Sequence, residues 1–192
     1  MDEHDLDPDP LRQFALWFEQ APEPQPEAVA VATATPDGAP SVRMVLMKSF
    51  DERGFVFYTN YDSRKGRELA VNPRAALLFH WPGRQVRIEG AVARTSREES
   101  IAYARSRPRG SQLSALASQQ SRPVASRVDL EQRVAQLNRD HPVQLPVHEG
   151  WGGFRVAPES YEFWEHRPDR LHDRFRYARD DGGGWRIERL SP

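Results

Sequence analysis

Clusters of basic side chains are the residues of this sequence best suited to chemistry, because several stand where an anionic group could be held. In "YDSRKGREL", Arg64 and Lys65 fall in the first turn of a predicted helix, where free backbone N–H groups and the helix dipole also favour an anion. In "VRMVLMK", Arg43 and Lys48 lie on opposite faces of a predicted strand. The patterns predict phosphate sites, although each cluster taken alone could be a solvated, arginine-rich face.

A third cluster follows in "YARSRPRGS", where Tyr103, Arg107 and Ser111 are spaced four residues apart. If the helix continues toward Pro108, these three donors share one helical face and suit another phosphate.

The stretch "RPDRLHDRF", residues 167–175, is a fourth candidate because it packs arginines and a histidine around two aspartates. It is either a solvated hairpin loop or a group of side chains that grip a ligand. In the second case Arg170, His172 and Arg174 point into a site, while Leu171 and Asp173 serve packing and support.

Composition limits the class of protein that can carry these clusters. The chain has 192 residues, 38% of them hydrophobic, and a net charge of −1, which suits one compact domain with local anion sites rather than a basic face for nucleic acid or lipid. Its 27 basic residues include only two lysines, Lys48 and Lys65, so a compact ammonium group is either required at those positions or present by chance.

Several classes of site are excluded by what the sequence lacks. It has no cysteine, which rules out disulfides and thiolate zinc sites and fits a reducing compartment. Its six histidines form no HExxH motif, and we expect no metal site. Dinucleotide-fold, P-loop and GxSxG signatures are missing as well.

Neither a signal peptide nor an apolar run of ~20 residues is present, so we expect a soluble cytoplasmic protein with no membrane contact.

The elements that must position the clusters follow from periodicity and turn residues. A first helix is predicted near residues 10–20, with Asp9 as its cap and Pro10 in its first turn. A capping box, Ser96 with Glu99, opens a helical middle. Strands are predicted at "EAVAVATAT", "SVRMVLMKSF", "GFVFYTN", "RAALLFHW", "RQVRIEGAVART", "WGGFRVAP", "SYEFWEH", "RFRYAR" and "WRIERL". This order favours an α+β fold with a mostly antiparallel, barrel-like sheet and flanking helices.

Taken together and in order, the segments "RMVLMK", "GFVFYTNYDSRKGREL", "RQVRIEG", "SRPRGSQLSALASQQS", "WGGFRV" and "EFWEHRPDRLHDRFRY" resemble the pyridoxamine 5′-phosphate oxidase family. The resemblance spans residues 10–192 as one domain, after an acidic tail at residues 1–9 that we expect to be flexible. It implies an FMN-binding split β-barrel, a homodimer with FMN in clefts between subunits, and oxidation of pyridoxamine or pyridoxine 5′-phosphate by oxygen to pyridoxal 5′-phosphate, with release of peroxide.

The same resemblance implies roles for individual residues. Arg170 and His172 are the expected catalytic pair over the pyridine ring and also bind substrate. The expected grip on the substrate phosphate comes from Lys48, Tyr103, Arg107 and Ser111. The expected FMN site comprises Arg43, Met44, Val45, Leu46, Met47, Lys48, Tyr58, Thr59, Arg64, Lys65, Gln85, Gln120, Ser121, Trp164 and Arg174.

Rival functions remain open at this point. A phenazine-biosynthesis type flavin oxidase shares the barrel and a similar "RLHDR" ending but acts on a substrate without phosphate. A non-catalytic carrier of flavin or pyridoxal phosphate binds without turnover, and a generic flavin reductase oxidises a nicotinamide donor. Many bacterial members of the family also carry an N-terminal segment that folds over the substrate; the given sequence begins just before its first helix, so closure by that segment is left open.

Overall fold

The computed structural model describes residues 1–22, 24–180 and 182–192. The α-helices in these ranges are α1 (Pro10–Glu19), α2 (Arg64–Val71), α3 (Arg97–Ser106), α4 (Arg109–Ala117) and α5 (Arg127–Asp140). The strands are β1 (Ala28–Ala34), β2 (Pro40–Asp51), β3 (Gly54–Asn60), β4 (Arg74–Trp81), β5 (Arg84–Arg94), β6 (Trp151–Glu165), β7 (Asp173–Arg179) and β8 (Trp185–Arg189).

Six of these strands close into an antiparallel barrel. The hydrogen-bonded order is β3-β2-β1-β4-β5-β6, and β6 pairs again with β3 to complete the ring. Strands β7 and β8 extend the sheet outward from β6. Closure leaves the six barrel strands without a free edge. The predicted α+β fold with a mostly antiparallel split barrel is confirmed.

Helix α1 plugs the barrel core with aromatic side chains. The Asp9 side chain accepts a hydrogen bond from the Leu11 backbone N–H at 2.9 Å and Pro10 occupies the first turn, as predicted. Phe14 is fully buried and meets the rings of Phe55 and Phe79 edge-on, with centroids 4.8 and 4.9 Å away. Burial of such aromatic side chains is the main source of stability in a core of this kind.

Strand β6 differs from the sequence-based expectation of two separate strands, "WGGFRVAP" and "SYEFWEH". It runs unbroken over Trp151–Glu165 because Pro158 and Glu159 sit at a bulge, where Pro158 opposes Gly90 and Ser160 opposes Glu89. A bulge tolerates a proline, which has no N–H to contribute to the ladder. Gly90 is required there, since a Cβ at that position would lie 1.9 Å from the Ala157 carbonyl oxygen.

The predicted continuation of the third basic cluster as one helix is wrong. Helix α3 ends at Ser106, Arg107 adopts extended backbone angles, and α4 starts at Arg109. The physical reason is Pro108, whose ring disfavours helical geometry in the residue before it. The four-residue spacing of Tyr103, Arg107 and Ser111 therefore does not place them on one helical face.

The acidic segment 1–9, expected to be a flexible tail, packs on the barrel in this structure. Leu6 is buried in the core, and the Tyr177 hydroxyl donates a hydrogen bond of 2.8 Å to the Asp7 carbonyl. Among the described residues, no helix is long and apolar enough to cross a membrane.

Candidate functional site

A cavity of about 430 Å³ opens beside the barrel where β2 and β3 meet the α3–α4 region. Ten residues predicted for the site line it: Met44, Val45, Leu46, Lys48, Tyr58, Thr59, Lys65, Tyr103, Arg107 and Gln120. Five further lining residues were not predicted: Asn60, Ser114, Ala115, Ser118 and Trp151. The fold thus brings together ten residues that the resemblance predicted for the site, although they are up to 76 positions apart in the chain, from Met44 to Gln120.

Lys65 supplies a buried positive charge to this cavity. Only 6% of the residue is exposed, and its Nζ contacts Thr59 Oγ1 at 3.0 Å, Gln120 Oε1 at 3.2 Å and Ser63 Oγ at 3.5 Å. Within the described ranges no carboxylate forms an ion pair with it. Burial, with the nearby charge of Arg43, lowers the pKa of Lys65 to about 8. A buried ammonium held only by neutral oxygens is a site prepared for an anion.

The helix that carries Lys65 is fixed closely against the preceding loop. Ser63 caps α2 by accepting a hydrogen bond from the Gly66 N–H at 3.2 Å. Gly66 permits the close approach, because a Cβ there would lie 2.1 Å from the Tyr61 carbonyl oxygen. The Ser63 cap and the close packing of Gly66 on Tyr61 therefore fix the first turn of α2, which carries Lys65.

Arg43 and Arg64 lie next to Lys65 and share one carboxylate, Glu68. Arg64 Nε donates to Glu68 Oε1 at 2.9 Å, and Arg43 Nη2 lies 3.4 Å from Glu68 Oε2. Arg43 also donates to Thr33 Oγ1 at 2.6 Å. Neither arginine lines the cavity itself, although the charge of Arg43 contributes to the lowered pKa of Lys65.

A stack of aromatic rings forms another wall of the cavity. Tyr58 and Tyr103 are stacked with centroids 3.9 Å apart, and Trp151 lies 5.6 Å from Tyr58 in a nearly parallel plane. The Arg107 guanidinium lies over Trp151, 5.2 Å from the ring centroid. Lys48, which also lines the cavity, is 3.8 Å from Glu27 Oε1. The cavity therefore holds cations from β2, α2 and the α3–α4 connection.

A second group of predicted residues lies away from this cavity. Gln85, Trp164 and Arg174 are register partners on β5, β6 and β7. Arg174 donates through Nε to Glu162 Oε1 at 2.9 Å and through Nη1 to the Ser191 carbonyl at 2.7 Å, and its Nη2 forms an ion pair with Glu162 Oε1 at 2.8 Å. Such a paired contact fixes the plane of the guanidinium.

The loop between β6 and β7 presents the predicted catalytic pair. Asp169 and Arg170 both have positive φ, 56° and 63°, a conformation that costs energy for residues other than glycine and often occurs at functional sites. The His172 ring lies 4.6 Å from Trp164, and its Nδ1 accepts a hydrogen bond of 3.1 Å from the Arg167 N–H. That bond leaves Nε2 as the protonated nitrogen of a neutral imidazole.

Asp173 anchors this loop as expected, whereas Leu171 does not pack in the protomer. Asp173 accepts from Arg167 Nε at 2.6 Å and Arg189 Nη1 at 2.8 Å; burial acts to raise the pKa of its carboxyl, and these hydrogen bonds outweigh it and lower that pKa. Leu171 is 70% exposed, so its predicted role in packing is not met within one chain.

The two groups lie at opposite ends of β6. Trp151 lines the cavity and Trp164 lies beside His172, and the two are 13 residues apart on that strand. At the usual rise of an extended chain, the path along the strand between them is roughly 40 Å. No residue of the loop that carries Arg170 and His172 lines the cavity of the same protomer.

Three predicted residues lie outside both groups. The Met47 side chain is buried in the hydrophobic core, Ser111 lies at the start of α4 without lining the cavity, and Ser121 is exposed with a φ of 71°. Of the residues that sequence reasoning missed, Trp151 had a visible signal, since it opens the "WGGFRV" segment that contributed to the resemblance.

Comparison with known proteins finds matches over nearly the whole chain. Residues 19–139 match the profile of a family described as pyridoxamine 5′-phosphate oxidase, and residues 151–192 match the pyridoxine 5′-phosphate oxidase C-terminal dimerisation region. A pyridoxine/pyridoxamine 5′-phosphate oxidase of Rubrobacter xylanophilus is 58% identical over 99% of this chain and 90% of its own length. One from Bordetella petrii is 54% identical over 95% of this chain and 89% of its own length.

Solved structures give the same fold. PhzG from Burkholderia lata, in complex with tetrahydrophenazine-1-carboxylic acid, has a TM-score of 0.91 and 34% identity over 98% of this chain and 95% of its own. A pyridoxamine 5′-phosphate oxidase-related, FMN-binding protein from Nostoc punctiforme has a TM-score of 0.74 and 19% identity over 98% of this chain and 100% of its own. The second likeness concerns the fold alone.

Proposed function

Because the chain belongs to the pyridoxamine 5′-phosphate oxidase family, we propose that it uses FMN and oxygen to oxidise pyridoxamine and pyridoxine 5′-phosphates to pyridoxal 5′-phosphate. The products include hydrogen peroxide, and ammonia when the substrate is the amine. The observation that carries the proposal is a single cavity lined by Lys65 on one element and by Lys48 and Arg107 on two others. FMN and substrate each bring a phosphate, and two phosphates need more than one set of charged donors.

The residues present suit FMN. Lys65, Arg43 and Arg64 form a compact group of cations with only Glu68 as a carboxylate partner among the described residues, which fits the phosphate end of a flavin nucleotide. Thr59 and Gln120 offer polar atoms next to Lys65. When bound, FMN supplies the redox chemistry by accepting a hydride and passing electrons to oxygen.

The residues of this chain bind and orient the substrate. Lys48 and Arg107 supply charge for its phosphate, and the Tyr103 hydroxyl is a further donor in the lining of the same cavity. Arg170 and His172 supply a cation and a neutral Nε2–H donor for the pyridine ring. Holding the reacting carbon against the acceptor in this way converts binding energy into rate.

The site is complete only when two copies of the chain combine. The β2 side chains Val42 and Met44 are 68% and 62% exposed, which leaves an apolar strip next to the cavity for a second copy to cover. The matched dimerisation region includes the loop of Arg170 and His172. We therefore assign the cavity to one subunit and the loop above it to the other, in a two-fold homodimer.

Aerobic turnover tests this proposal. Purified protein loaded with FMN is expected to form aldehyde and peroxide in equal amounts from both phosphorylated compounds, and to act poorly on pyridoxamine and pyridoxine without phosphate, which serve as matched controls. Bound FMN with neither product would contradict the oxidase function and support a carrier.

The second candidate is a phenazine-type oxidase, which the likeness to PhzG favours. The ligand named for that protein carries a carboxyl group and no phosphate. One carboxylate offers Lys48 and Arg107 fewer acceptor oxygens and less negative charge than a phosphate does, which favours the phosphorylated substrate. Oxidation of a reduced phenazine carboxylic acid that exceeds turnover of both phosphorylated compounds would reverse this preference.

A further inference from the structure

Glu68 is a buried carboxylate for which the proposed reaction provides no role. It lies in the second turn of α2, three residues after Lys65, and only 4% of it is exposed. It does not line the cavity. It is instead paired with Arg43 and Arg64, the two arginines that flank the proposed phosphate site.

Both oxygens of Glu68 are occupied by donors from three elements. Oε1 accepts from Arg64 Nε at 2.9 Å. Oε2 accepts from the hydroxyl of Thr33 on β1, from Ser41 Oγ on β2 at 2.6 Å, and lies 3.4 Å from Arg43 Nη2. Ser41 Oγ also accepts from Arg43 Nη2 at 2.5 Å. The carboxylate therefore connects α2 to the β1–β2 hairpin through Thr33, Ser41 and Arg43, and it also holds Arg64 on its own helix.

The charges of this cluster sum to a value that suits a phosphate group. Arg43, Arg64 and Lys65 carry three positive charges and Glu68 one negative charge. Burial acts to raise the pKa of Glu68, but hydrogen bonds from Ser41, Thr33 and Arg64 and the charge of Arg43 lower it to about 2, so it stays ionised at neutral pH. The net charge of about +2 matches a phosphate monoester, which carries close to two negative charges at pH 7.

We propose that Glu68 is a positioning residue that orients Arg43 and Arg64 for the FMN phosphate before FMN binds. The inference rests on the proposed function and deepens it at the same site. Arginine side chains lose considerable rotamer freedom when a ligand orders them, and a tether already present in the free protein removes part of that cost.

Two simpler roles for Glu68 lead to different results. If it only neutralises buried arginines, its loss lowers stability and affects all flavins alike. If its negative charge mainly repels the phosphate, its loss tightens FMN binding. Only the positioning role makes removal of this negative charge weaken the binding of FMN while leaving the binding of a flavin without phosphate unchanged.

The test compares FMN with riboflavin, which lacks the phosphate, by quenching of flavin fluorescence on titration with FMN-free protein. We expect Glu68→Gln to raise the Kd for FMN about tenfold and leave the Kd for riboflavin unchanged. Glu159→Gln is the matched control, since it removes the same charge from an exposed pair with Arg74 and is expected to change neither Kd.

An unchanged or lower Kd for FMN in Glu68→Gln, or an equal rise for both flavins, would overturn the inference. Should Glu68→Gln not fold, Ser41→Ala removes one donor to Glu68 and is expected to give a smaller loss of the same FMN-specific kind, with the same contradicting outcomes. Wild-type protein that binds FMN no tighter than riboflavin would instead refute the proposed phosphate site, a failure visible before any variant is made.

Discussion

The α2 cluster and the β6–β7 loop both present arginines, but they hold them in opposite ways. Around α2, Arg43 and Arg64 are bound to protein oxygens, and Lys65 is buried among neutral acceptors. In the loop, Arg170 is exposed on a strained backbone and no ion pair involves it among the described residues. The first region is fixed by contacts within the protomer, whereas the second would gain its contacts from the other subunit in the proposed dimer site.

From this difference we expect the α2 cluster to retain the cofactor and the β6–β7 loop to act on the substrate during turnover. A preorganised cation cluster favours tight, lasting binding of a cofactor phosphate. An exposed loop anchored at its base by Asp173 can instead meet a substrate that must enter and leave in every cycle. Changes in the two regions should therefore affect different measured quantities.

The largest expected effect comes from the loop. Arg170→Ala should lower kcat/KM for pyridoxine 5′-phosphate by about a hundredfold, in the range found when a charge-stabilising group is removed, while the Kd for FMN stays the same. Arg186→Ala, which removes an exposed arginine from β8, is the control. Full activity in Arg170→Ala would show that the loop takes no part in the reaction.

Loss of the buried lysine should act on FMN retention. Lys65→Met removes a charge-assisted contact worth about 2 kcal/mol, which corresponds to a rise of roughly thirtyfold in the Kd for FMN measured by fluorescence quenching. Arg67→Met, an exposed cation on the same helix, controls for the change in net charge. A Kd within twofold of the wild type would place the FMN phosphate elsewhere.

Mixing these two defects tests whether the regions belong to different subunits. If Lys65→Met and Arg170→Ala chains are co-expressed equally with different tags, half of the dimers are mixed, and each mixed dimer has one site with both changes and one with neither. With FMN held at a concentration that fills wild-type sites but not Lys65→Met sites, about a quarter of wild-type activity should return. Activity that stays at the level of the single variants would mean that cavity and loop act within one chain.

The smallest expected effect is on pH dependence. Burial and the charge of Arg43 lower the pKa of Lys65 to about 8, so the FMN-free protein loses this charge above that pH. The FMN phosphate is already dianionic there, and the Kd for FMN should rise about tenfold between pH 7 and pH 9. Lys65→Arg should abolish the rise, and a flat wild-type profile would contradict the role of Lys65.

Elements with local signals were predicted well from the sequence. The Asp9 cap, the capping box of Ser96 and Glu99, and the alternating strands all depend on residues within a few positions of each other. The helix break before Pro108 also had a local signal, but the regular spacing of Tyr103, Arg107 and Ser111 obscured it. Of the site residues that the resemblance predicted, ten line one cavity in the structure.

What the sequence did not reveal depends on contacts across the fold. Glu68 lies four residues after Arg64, a spacing typical of an ordinary surface ion pair. Its contacts with Thr33 and Ser41 exist only because the β1–β2 hairpin packs on α2. The stacking of Trp151 on Tyr58 likewise depends on the pairing of β6 with β3. Pairing of this kind is set by the whole barrel rather than by neighbouring residues.

The bulge at Glu159 has a consequence for how such chains can change during evolution. It divides β6 into a stretch that pairs with β3 and a stretch that pairs with β7. Inserting or deleting one residue on either side would turn every following side chain to the opposite face of the sheet. Length changes among related proteins should therefore collect in the connecting loops, while the residue count between Trp151 and Trp164 stays constant.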